Sequence, residues 1–203
     1  MSFTEPIDAT AYGFDDWIRF AFDHPVSEPA WYHTEEMYFV CVPERVIVHY
    51  ARLFRDAVST LSPYDDAQVE QGLWFAVGSQ LSEWVWDEDL PLPVRLDVID
   101  AMPAMFRDFL TGRPLDTACF MWWDMLRTFG DAPDQRITDA TARALERVLE
   151  LSARHCQLSA LHGLGHLTHE SKEAIIRRFL AAHPDVDDEL REYALEAIAG
   201  NVL

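Results

Sequence analysis

Apolar side chains recur along this 203-residue chain at offsets of three and four, the repeat of one helix face, and strand-like alternation is scarce. Val46, Tyr50, Leu53, Phe54, Ala57, Val58 and Leu61 make one such stripe, opened near Pro43, a residue suited to a first helical turn. Val69, Leu73, Ala76, Val77, Leu81, Trp84 and Val85 make a second after the turn Ser62-Pro63-Tyr64-Asp65, and Val98 to Leu110 a third that Pro103 is expected to kink or split. Cys119 to Phe129 is short and dense in large side chains, and Gly130-Asp131-Ala132-Pro133-Asp134 is a polar break. Stripes on Ala142–Leu149, Leu158–Gly165, Ile175–Leu180 and Leu190–Ile198 complete the series. Only Met37 to Val42 has an extended character, and Phe14–Phe22 has the pattern of a further helix.

Short connections make successive helices antiparallel neighbours. The spacing therefore predicts one all-α domain over residues 1–203, with residues 1–42 as an N-terminal capping segment and four helix pairs over 43–203. The pairs are 43–61 with 67–86, 93–110 with 116–129, 138–152 with 156–167, and 171–183 with 188–200.

The charge is lopsided: 35 Asp and Glu stand against 16 Lys and Arg, a formal net charge of −19. Residues 61–100 hold nine acids and one arginine. A surface of this sign repels nucleic acid phosphates and anionic lipid and attracts cationic partners from a distance, so no nucleic-acid or membrane partner is expected. No apolar run approaches the roughly 20 residues that span a bilayer. The start of the chain, with Glu5 and Asp8, lacks the basic-then-apolar order of a secretory signal. Three widely spaced cysteines, Cys41, Cys119 and Cys156, read as buried reduced thiols, which makes the cytoplasm the expected compartment.

Ala160-Leu161-His162-Gly163-Leu164-Gly165 matches Ala194-Leu195-Glu196-Ala197-Ile198-Ala199 at a distance of 34 residues, a spacing that suits a two-helix repeat. Asp187 to Ile198, an Asp-led turn followed by Arg191 and an Ala-Leu-x-Ala-aliphatic run, resembles the second helix of a HEAT repeat. The resemblance covers about residues 155–200, and upstream it rests on helix pairing. It implies an α-α superhelix with a surface for proteins or peptides. Gln71-Gly72-Leu73-Trp74, Met121-Trp122-Trp123-Asp124 and Ser159 to His166 also resemble bacterial proteins of about this size, a resemblance that implies no activity.

His155, His162, His166 and His169 stand at spacings that place them within roughly a 60° arc on an uninterrupted helix. His162 and His166, at i and i+4, have the spacing of ligands on adjacent turns, and with His169 they form a candidate metal set for which zinc is the suited ion. No Cys-x-x-Cys pair or Glu-x-x-His motif accompanies them, and Gly163 and Gly165 offer the alternative that the histidines flank a tight helix contact. Asp185, Asp187, Glu189 and Glu196 have calcium-loop spacing, but Leu190 replaces the glycine such a loop needs, so they read as cap and first-turn charges. Nucleophile elbows, phosphate loops and dinucleotide fingerprints are absent, so no catalytic residue and no cofactor is expected.

Two aromatic–acidic groups offer a binding surface. Trp84 and Trp86 precede Asp87, Glu88 and Asp89, and Trp122 and Trp123 precede Asp124. Neighbours on a helix point about 100° apart, so one tryptophan of each group is expected in the core and its neighbour exposed or wedged between repeats, beside acids that would receive Arg or Lys. The function expected is non-enzymatic engagement of a basic protein, in one concrete form a bacterial immunity or antitoxin-like protein. The alternatives are a metal-binding module or metal-dependent enzyme on the histidines, and a scaffold subunit, self-association included.

Overall fold

The computed structural model describes residues 6–33, 38–115, 117–126 and 134–202. They are mostly helical: α1 Phe14–Phe22, α2 Pro43–Arg55, α3 Ala57–Leu61, α4 Asp66–Leu73, α5 Ser82–Trp84, α6 Leu92–Met105, α7 Ala118–Met125, α8 Gln135–Leu149, α9 Arg154–His166, α10 Lys172–Ala182 and α11 Asp188–Ala199. Two short strands, β1 Ile7–Asp8 and β2 Phe39–Val40, pair in parallel, so the extended character of the 37–42 stretch is realised at its centre, while Met37 lies outside the described residues. Among the described residues no helix is long and apolar enough to cross a membrane.

Local chemistry sets the helix starts. Asp65 accepts from Gln68 N while the Gln68 side chain reaches back to Asp65 N, a reciprocal cap that opens α4. Asp134 accepts from Arg136 N at the start of α8, and Asp187 accepts from Leu190 N at 2.8 Å at the start of α11, the cap role expected of that acid. Gly200, at φ +75°, ends α11 in the left-handed conformation that glycine adopts without cost.

The helices form two rows, each built of helices that are not neighbours in the chain. One row is α2, α6, α8 and α10; the other is the π-helical continuation of α4 (Trp74–Leu81), then α7, α9 and α11. The rows meet mainly where α8 packs on α9. The expected pairing of 43–61 with 67–86 is therefore not the main contact of either segment. Asp56 divides the first into α2 and α3, and α2 lies on α6. The reason is aromatic: Phe75, on the π-helical segment, is met by Trp17, Phe20, Trp31 and Phe39 of the N-terminal region, with ring centroids 4.7–6.5 Å apart. Trp17 and Trp31 are thereby buried in the core, with Phe20 and Phe39 packed against it.

Pro103 neither ends nor splits its helix. The ladder widens just beyond it into a π-helical stretch, Phe106–Leu110, where Thr111 N donates to Phe106 O at 2.9 Å. Of the expected helix 116–129, residue 116 and residues 127–129 lie outside the described residues, as does the break 130–133. The 34-residue match falls on α9 and α11, which pack together. Leu161 is fully buried, whereas its counterpart Leu195 is 49% exposed, because α9 has α7 on its other side and α11 is last in its row.

Candidate functional site

Helix α7 is embedded between neighbours, which is how it buries two adjacent tryptophans. Trp122 packs on Phe54 and edge-on to Phe106 and donates its indole N–H toward Met102 Sδ at 3.5 Å, while Trp123 stacks on Phe106. Trp123 also fills the space that Gly163 leaves on α9: a β-carbon there would come within 2.7 Å of both Trp123 and Leu145. Both rings of this pair are thus in the core. Trp84 is buried and stacks on Tyr50, and half-buried Trp86 donates to Leu126 O at 2.8 Å. Trp86 thus reaches the C-terminal end of α7, and Trp84, Trp122 and Trp123 are packed inside rather than forming a free aromatic face.

The seating of Trp123 on Gly163 carries the next residue, Asp124, across α9. Asp124 Oδ2 lies 3.0 Å from His162 Nε2, and Asp124 Oδ1 lies 3.4 Å from His166 Nε2. The ligand-type atoms of the three residues all fall within 4.8 Å of one another. His162 is 1% exposed, while the Asp124 and His166 side chains keep 20% and 22% exposure, so the cluster has one closed side and one side reached by water. The rings of His162 and His166 meet edge-on at 4.7 Å, and Phe120 covers His162 at 4.4 Å.

Tyr193, from α11, completes the arrangement with its hydroxyl 2.7 Å from His162 Nδ1. Burial, with the charges of Asp124 and Glu196, pushes the Tyr193 phenol up to about 12, so it keeps its proton near neutrality. Two proton arrangements are open to the row, of which the first satisfies every group and the second needs a cation between Nε2 and Asp124. Either the phenol donates to Nδ1 and Nε2–H donates to Asp124, or Nδ1–H donates to the phenol oxygen and Nε2 presents its lone pair on the Asp124 side.

The other histidines go elsewhere. Helix α9 ends at His166, and Leu167 turns extended at φ −73°, ψ 127°, which takes His169 off the helical row. There Ser171 N donates to His169 Nδ1 at 3.1 Å, so the Nε2–H faces Asp139 Oδ1 at 3.1 Å. His155 lies within α9 and donates from Nε2 to Leu110 O at 2.9 Å. The structure thus brings together two of the three histidines singled out from spacing, adds Asp124 and Tyr193, and places His169 with Asp139. Cys119 and Cys156 are buried free thiols and Cys41 is partly buried; the hydrogen bond to Cys156, with burial, pushes the Cys119 thiol up.

Glu70 positions α7, and no sequence motif announced it. One of its oxygens, Oε1, accepts from Thr117 N, Thr117 Oγ1 and Ala118 N at 2.6–3.0 Å, and from the Trp74 indole at 3.1 Å. A carboxylate thus sits at the N-terminus of α7, where backbone N–H groups lack helical partners.

The acidic group that follows Trp84 and Trp86, at the α5–α6 corner, is arranged by a buried arginine. Arg95 is 3% exposed and donates to Leu90 O at 3.1 Å and Val85 O at 3.4 Å, with Asp134 at 3.9 Å. Glu83, Glu88 and Asp89 are exposed, Asp87 is half-buried, and Asp89 N donates to Asp87 Oδ1 at 2.9 Å. Comparison with family models, with curated proteins and with solved structures finds no match.

Proposed function

We propose that this chain is a non-enzymatic, HEAT-like α-α superhelical binding domain whose acidic surface engages a basic protein. The observation that carries the reading is the inward turn of Arg95. It is the one positive charge between residues 61 and 100, and it is spent on carbonyls and on Asp134, so the segment offers water its carboxylates. Elsewhere arginines are tied down in pairs such as Arg55–Asp97, Arg154–Asp187 and Arg178–Glu146, which lowers the positive charge presented to a partner. The two rows of alternating helices are the packing that a two-helix repeat generates. Because Trp84, Trp122 and Trp123 are core, recognition rests on Glu83, Asp87, Glu88 and Asp89 and on shape, with Trp86 bracing the corner from beneath. An immunity or antitoxin-like protein that occludes a cationic toxin is a concrete form of this function.

The test is a pull-down from host lysate at low salt. The unsubstituted chain is compared with one carrying Glu83→Gln, Asp87→Asn, Glu88→Gln and Asp89→Asn. A basic protein retained near one-to-one, released by high salt and lost with the substituted chain, is the expected result. Equal retention by both chains would place the contact elsewhere, and retention only of further copies of the chain would replace this reading with self-association.

A further inference from the structure

The Asp124 cluster has the composition of a metal site and lies apart from the acidic corner in role. His162 and His166 are one turn apart on α9, and Asp124 faces both, one carboxylate oxygen to each imidazole. At a tetrahedral ion with bonds of about 2.0–2.1 Å, neighbouring ligand atoms stand roughly 3.3 Å apart. The His162 Nε2–Asp124 Oδ2 separation, 3.0 Å, is already near that value, and one ligand atom from each of the three residues falls within 4.8 Å of the others. We infer that Asp124, His162 and His166 bind one divalent transition-metal ion of the zinc class, with Tyr193 as the positioning residue that holds the His162 ring.

The donor set selects the ion. Two imidazoles and one carboxylate suit zinc, cobalt or ferrous iron, whereas calcium and magnesium call for oxygen alone. Three protein ligands leave a position of a four-coordinate ion for water, and the one-fifth exposure of Asp124 and His166 puts that position on the solvent side. Binding draws on the second of the two proton arrangements. The phenol oxygen of Tyr193 accepts Nδ1–H, which fixes the tautomer and aims the Nε2 lone pair toward Asp124. The ion then takes the place of the proton that His162 Nε2 donates to Asp124 in the first arrangement. His169 contributes nothing, since its Nδ1 accepts from Ser171 and its Nε2 serves Asp139.

The experiment uses the full chain purified without a histidine tag and stripped with chelator, titrated with Co²⁺ and then Zn²⁺. Visible absorption bands saturating at one Co²⁺ per chain and displaced by Zn²⁺ are expected. Asp124→Asn and His166→Gln should each weaken binding by about tenfold or more, Tyr193→Phe by about tenfold, and His169→Gln not at all. Should a variant fail to fold, nitrogen NMR of the unsubstituted chain replaces it: one equivalent of Zn²⁺ should move the imidazole signals of His162 and His166 and leave those of His155 and His169 in place. Absence of a saturable one-to-one complex, affinity unchanged in His166→Gln, or unmoved His162 and His166 signals would each overturn the assignment.

Discussion

The Tyr193 hydroxyl and His162 Nδ1 lie 2.7 Å apart, joining α11 to α9 through an imidazole whose other nitrogen faces Asp124 of α7. Three successive helices of one row are therefore tied by a single polar chain. A satisfied polar chain of this kind stabilises, and an interrupted one leaves a buried group without its partner. Tyr193→Phe removes the phenol and leaves the ring, so it should lower unfolding stability by roughly 1–2 kcal/mol in urea titration. An unchanged midpoint would mean that His162 finds an equivalent partner in water.

Glu70 serves four donors with one oxygen, three of them at the start of α7. Glu70→Ala should cost roughly 2 kcal/mol, the upper end for loss of a helix cap, while Glu70→Gln, which keeps a carbonyl acceptor, should cost about half as much. Thermal unfolding of the two variants checks the ordering, and equal losses would mean that charge, not acceptance, is what matters there.

Gly163 and Gly78 make a contrasting pair. Alanine is favoured over glycine in a helix by about 1 kcal/mol, but at position 163 its methyl would strike Trp123 and Leu145, and overpacking costs typically 1–3 kcal/mol. Gly163→Ala should therefore destabilise. At Gly78 the nearest atom is the flexible Met125 Sδ at 3.3 Å, so Gly78→Ala should be neutral or stabilising. Unfolding midpoints that moved the same way for both would refute the packing argument.

Asp134 is held down at about 2, from an ordinary value of 3.8, first by the Arg136 guanidinium and then by the Arg136 N–H, with Arg95 adding a smaller attraction. A carboxylate with a folded value below its unfolded one contributes stability that is complete above about pH 4 and is lost as pH falls through about 2. Asp134→Asn keeps a capping oxygen but no charge, so it should be less stable than the parent by roughly 1.5 kcal/mol at pH 7. The difference should close between pH 4 and pH 2 in urea titrations at stepped pH. A gap independent of pH would assign the effect to geometry.

Much of this architecture is legible in the sequence because each helix carries its own apolar stripe. The α1 and α9–α11 segments lie close to the spans that periodicity gives. What resists reading is anything set by which helix lies on which. The stripe through Val69 to Val85 gives no sign of π-helical widening at Trp74–Leu81, nor of the aromatic cluster that directs α2 onto α6. At the candidate site, His162 and His166 are legible from i, i+4 spacing, but Asp124 is 38 residues from His162 and Tyr193 is 31 residues away. A signal for the first was present: Gly163 marks a place where a large ring fits against α9, and Trp123, which fills it, is followed by Asp124. His169 could not be separated from the row, because the helix stops at His166 without a proline or glycine just beyond it.

Engagement of a basic protein by the acidic surface at the α5–α6 corner is tested by the association rate of that protein as salt is varied. The unsubstituted chain and the chain neutralised at Glu83, Asp87, Glu88 and Asp89 are compared with the retained protein as analyte. Electrostatic steering predicts that neutralisation slows association about tenfold at low salt and flattens its salt dependence, with a small change in dissociation. Association rates and salt slopes that coincide for the two chains would contradict the claim.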